Sequence, residues 1–117
     1  MLSKKDICEL KALSNPPKLV ATVFEPVMIL LGKTTSWAEA KKSMSNPNAF
    51  LDALKNYSAE NIQPSVVQHI QKVYFSNPEF NFEDVKRKSC AASNMVAWTI
   101  AMVNIADAYH RQKGNKF

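Results

Sequence analysis

The chain has 117 residues, 46% of them hydrophobic and 21% charged, with only two glycines. That length fits one domain and not two, and so few glycines argue against a turn-rich β-sandwich or a glycine-built phosphate loop. The 15 Lys and Arg outnumber the 10 Asp and Glu for a net charge of +5, which favours an acidic partner such as nucleic acid, anionic lipid or an acidic protein polymer.

Residues 3–13 place Ile7, Leu10 and Leu13 three apart, on one side of a helix, with Lys4, Lys5, Asp6, Glu9 and Lys11 on the others. So thin a stripe predicts the end of a coiled-coil strand awaiting a partner. SNPP (14–17) breaks that helix, and Pro16 and Pro17 suit the first turn of the next. Residues 19–31 are apolar nearly all round, which predicts a buried central helix closed by Gly32. The run is too short to cross a membrane, which takes about 20 apolar residues, and Glu25 and Pro26 interrupt it. Pro26 removes one backbone bond, leaves the Thr22 carbonyl free and predicts a kink or hinge.

Ser36 and Glu39 have the form of a capping box and open a short helix through Met44. NPN (46–48) turns the chain into another short helix carrying Phe50, Leu51 and Leu54. After a connector over 57–63, Pro64 starts a helix whose apolar face is Val66, Val67, Ile70, Val73 and Tyr74; SNP (76–78) ends it. Asn81 with Asp84 predicts a capped start for a short helix that carries Val85. In the last and longest helix Met95, Trp98, Met102, Ile105 and Tyr109 step by three and four, which predicts a heptad seam running to about Gln112. Both ends of the chain therefore read as coiled-coil strands.

No catalytic set emerges from this pattern. His69 has no acidic or cysteine partner at metal-ligand spacing and His110 lies in the distal coiled-coil region, so each reads as a structural histidine and neither a metal nor a cofactor is expected. No serine sits in a nucleophile elbow and there is no P-loop. Cys8 and Cys90 form no CxxC pair and, without a signal peptide, fit a reducing compartment as small apolar side chains. Trp37 and Trp98 lie inside apolar helical patterns and read as core anchors. The conspicuous charge cluster is Lys86, Arg87 and Lys88; a solvated helix end complementing the dipole explains it as well as a binding role does. Lys18, Lys55 and Lys72 join it only if the fold brings them to one face. A basic helical nucleic-acid-binding domain is the rival reading, but no helix is dense enough in Arg, Asn and Gln to read base edges.

Six landmarks resemble the stalk tip of dynein heavy chains in order and spacing: SNPP (14–17), ILLG (29–32), TTSW (34–37), NYSAENI (56–62), YFSNPEFNFEDVKRKS (74–89) and MVAWTIAMVNIAD (95–107). The resemblance covers nearly the whole chain. It implies an all-α bundle of about six short helices, residues 14–104, at the tip of an antiparallel coiled coil entering over 1–13 and leaving over 105–117. It implies a binding module and not an enzyme, whose first, third and sixth helices meet the groove between α- and β-tubulin. Its affinity would be set through the coiled coil by a remote AAA+ ATPase ring. Lys18, Lys55, Lys72, Lys86, Arg87 and Lys88 are then the expected tubulin-binding side chains, with neither nucleic acid nor membrane as partner. Ala21 and Ala97 stand where cytoplasmic members tend to carry lysine, and Lys18 supplies part of the missing charge. The insertion that many inner-arm axonemal chains carry between the second and third helices is absent. That points to an axonemal outer-arm heavy chain in a cilium or flagellum, with a leucine-rich-repeat light chain as a second candidate partner.

Overall fold

A computed structural model describes residues 2–113, and among these every regular element is helical. The seven α-helices are α1 (Lys4–Lys11), α2 (Lys18–Leu30), α3 (Trp37–Ser43), α4 (Pro47–Lys55), α5 (Pro64–Ile70), α6 (Phe82–Lys88) and α7 (Cys90–Gln112). A 3-10 turn, Ala59–Asn61, precedes α5, and α5 runs on into a π-helical turn, Gln71–Phe75. The expected all-α bundle is present: α2 to α7 supply six helices, and α1 leads into them.

Local chemistry accounts for the helix boundaries. Ser3 and Asp6 cap the start of α1 reciprocally, Asp6 Oδ2 accepting from the Ser3 N–H at 2.9 Å. Ser36, Asn46, Asn81 and Ser89 accept from backbone N–H groups three residues on, and so cap α3, α4, α6 and α7. Gly32 at φ +72° ends α2: its N–H donates to the Ile29 carbonyl at 3.1 Å and the Lys33 N–H to Met28 at 2.9 Å, a Schellman arrangement.

Aromatic side chains join these ends to one another. The Trp37 indole N–H donates to the Leu13 carbonyl at 3.0 Å, just past α1, and its ring meets Phe24 of α2 edge-on at 5.2 Å. The Trp98 indole donates to the Leu54 carbonyl in the last turn of α4 at 3.2 Å, and the Tyr57 hydroxyl to Leu30, the last residue of α2, at 2.6 Å. Carbonyls at helix C-termini have no intrahelical partner, and leaving a buried one unpaired costs about 1–3 kcal/mol. The two tryptophans anchor the bundle with the N–H as well as the ring.

α7 is the spine, against which α1, α2, α5, α6 and the 3-10 turn pack. Its buried line is Ala92, Met95, Val96, Thr99, Val103, Ala106 and His110. The heptad seam expected along Met95, Trp98, Met102, Ile105 and Tyr109 is a different line: Met95 is fully buried, Trp98, Met102 and Tyr109 are half-buried, and Ile105 is 49% exposed. Elements crowd this helix closely, and small side chains permit the closest approach. His110 is likewise buried, its Nε2 donating to the Ile62 carbonyl at 2.6 Å. The α1 stripe is covered within the domain. Ile7 and Leu10 are already buried, in a helix that packs on α7 and α4. Cys8 is half-buried and Cys90 exposed.

Candidate functional site

The basic residues fall into one convergent pair and several separate positions. Lys18 is the first residue of α2 and Lys88 the last of α6, two helices that pack together. Both line an open hollow of about 360 Å³ whose walls include Leu19, Thr22, Asn77 and Glu79. Lys88 also borders a second hollow of about 320 Å³ beside Leu13, Pro17, Ser89 and Cys90. The turn carrying Asn77 and Glu79 is shaped locally: the Asn77 side-chain oxygen accepts from the Glu79 N–H at 3.0 Å.

The other cations are differently engaged. Arg87 pairs with Asp84 at 2.7 Å, with their side chains 76% and 33% exposed, a surface pair of small net worth. Lys86 lies 5.7 Å from the centroid of the Phe82 ring. Lys72 is exposed on the π-helical turn and Lys55 at the end of α4, and neither lines the hollow shared by Lys18 and Lys88. Sequence reasoning missed Thr22, Asn77 and Glu79 as walls of that hollow. Nothing local marks them, because α2 and the turn after Phe75 meet only through tertiary packing.

Lys18 breaks a local rule. It stands at the positive end of the α2 dipole, where anions are favoured. Pro17 provides no side-chain cap there, and the first turn holds no acid.

A second feature is apolar. Leu2, Phe82, Asn94, Ala97 and Trp98 line a hollow of about 380 Å³. Asn94 donates to Asp6 Oδ2 at 3.1 Å. Residue 6 thus lies by 94 and residue 2 near 98, so α1 and α7 run antiparallel. The half-exposed stripe Trp98, Met102, Ile105 and Tyr109 continues along α7 from this hollow.

The family described as the microtubule-binding stalk of dynein motor matches residues 1–115. The chain belongs to this dynein stalk family. It is 39% identical over 114 residues to the ciliary dynein beta chain of Tripneustes gratilla and 40% over 108 to human dynein axonemal heavy chain 6. It is 33% identical over 111 residues to the cytoplasmic dynein heavy chain of Drosophila melanogaster. These matches take in 92%, 92% and 94% of this chain but 2% of each relative's length. In this stalk domain Ala97 is exposed and Ala21 half-buried, so a lysine at position 97 meets solvent without disturbing the core.

Proposed function

We propose that the chain is the microtubule-binding tip of a dynein stalk, docking in the groove between α- and β-tubulin through α2, α4 and α7. The family match along residues 1–115 carries this reading; the net charge of +5 supports it, because basic side chains steer encounter with an acidic lattice. Lys18, Lys55, Lys72, Lys86, Arg87 and Lys88 supply the attraction. The tip performs no chemistry; the parent heavy chain is the ATP-driven motor. An upstream helical strand leads into α1 and covers Met102, Ile105 and Tyr109, and through the resulting coiled coil a remote ATPase ring sets affinity. The antiparallel course of α1 and α7 and the half-exposed stripe support that arrangement. We place the domain in an axonemal outer-arm heavy chain of a cilium or flagellum. Relatives named ciliary, flagellar or axonemal support the cilium or flagellum, and the short connection from α3 to α4 supports the outer arm. A leucine-rich-repeat light chain is its second partner.

The test is co-sedimentation with microtubules beside a gel shift on duplex DNA. The domain pellets with microtubules and leaves DNA unshifted. Reversing Lys86, Arg87 and Lys88 together to Glu leaves helicity nearly intact, since all three are exposed, and weakens pelleting at least about tenfold at low salt, less at high salt. Binding unchanged at every ionic strength refutes the role of this cluster.

A further inference from the structure

The hollow between α2, the turn after Phe75 and the end of α6 has a chemistry of its own. We propose that it is a carboxylate clasp, in which one acidic side chain of the folded tubulin surface enters and is held jointly by Lys18 and Lys88. This rests on the microtubule-binding reading and names a contact within it. Lysines from two separate helices border one space of about 360 Å³. Among the described residues neither lysine is in an ion pair, whereas Arg87 is already engaged with Asp84. Glu79 shares the hollow and leaves a single positive charge in excess, which suits one carboxylate and not the repeated phosphates of a nucleic-acid backbone. Asn77 uses its side-chain oxygen on the Glu79 N–H, so its NH2 group is left as a further donor. Lys18 at an uncapped, acid-free helix start is a local conflict that an incoming anion relieves; such conflicts concentrate at functional sites.

Because both lysines hold the same carboxylate, their contributions are coupled. Microtubule affinity is measured for the wild type, Lys18→Ala, Lys88→Ala, the double variant and Lys42→Ala, an exposed α3 control. Each clasp substitution weakens binding about fivefold, and the double variant about five- to tenfold instead of the product of the two. Lys42→Ala binds within about twofold of the wild type, as expected of a charge outside the clasp. The coupling persists on microtubules whose flexible acidic tails have been removed by protease. Independent, multiplying losses overturn the clasp while leaving the docking reading intact. Loss of the coupling with the tails overturns the folded surface as its source. A wild-type domain that does not pellet with microtubules overturns both readings.

Discussion

Tyr74 and Glu25 are 49 residues apart, yet the Tyr74 hydroxyl donates to Glu25 Oε1 at 2.9 Å. Burial first, then this bond and the negative charge of Glu25, push the Tyr74 phenol well above its ordinary range. The folded state thus keeps a proton that the unfolded chain loses near pH 10. The resulting stability is full below about pH 10 and declines as pH rises further. Tyr74→Phe should cost about 1 kcal/mol at pH 8 and flatten part of the alkaline decline. The remainder belongs in part to Tyr57, whose phenol burial also raises. Urea unfolding of both proteins at pH 8 and pH 11 measures this, and an identical alkaline loss in the variant refutes it. The sequence places Tyr74 on the inner face of its helix, but no local signal connects it to a carboxylate on α2. At this scale the basic residues were legible as charges; which of them share a hollow was not.

Helix caps were the most legible elements: Ser36, Gly32 and Asn81 with Asp84 act as their residue types require. The π-helical turn Gln71–Phe75 was not legible, because residues 64–75 keep a helical apolar period while one turn widens. It lies across from the other irregularity, Pro26, whose neighbour Glu25 is bonded to Tyr74 within that turn. α2 runs from Lys18 to Leu30 with Pro26 buried inside it. The Thr22 hydroxyl donates to the Lys18 carbonyl at 3.0 Å, so it is not the group that satisfies its own freed carbonyl. We expect Pro26 to act as a hinge that lets the Lys18 end of α2 move while residues 27–31 stay buried. Pro26→Ala restores a backbone donor and should raise Tm by roughly 3–6 °C for each kcal/mol regained. It should also shrink the affinity difference between coiled-coil registers. A stabilised variant that keeps the full difference reduces the proline to a tolerated kink.

For the whole molecule, the proposed coupling between a coiled coil and the binding surface has a route through named contacts. α1 is held by Ile7 and Leu10, by the Asn94–Asp6 bond, and by the Leu13 carbonyl on the Trp37 indole. Trp37 in turn meets Phe24 of α2, the helix that begins with Lys18. In the proposed mechanism a shift of α1 along α7 breaks or remakes these contacts, so that two states of the coil give two positions of α2. Fusing the domain to a rigid antiparallel coiled coil in different registers should yield different microtubule affinities, by about tenfold for a coupling of ~1.4 kcal/mol. Trp37→Phe keeps a ring against Phe24 but drops the bond to Leu13, and should narrow that span. Equal affinity in all registers removes the mechanism.

Periodicity, capping residues and composition are local properties, and from them the sequence by itself determined a basic, all-helical domain, most of its helix boundaries and, through ordered landmarks, its resemblance to the dynein stalk. Tertiary structure alone decided which face of α7 is buried. That depends on how closely five neighbours approach the helix, so Ala92, Thr99 and Ala106 outrank the bulkier Trp98 and Ile105. It alone decided that α1 already packs on the bundle, and that Lys18 and Lys88 border one hollow while Lys55 and Lys72 stand outside it. Convergence of side chains far apart in sequence is set by packing geometry, which no local pattern of residues encodes.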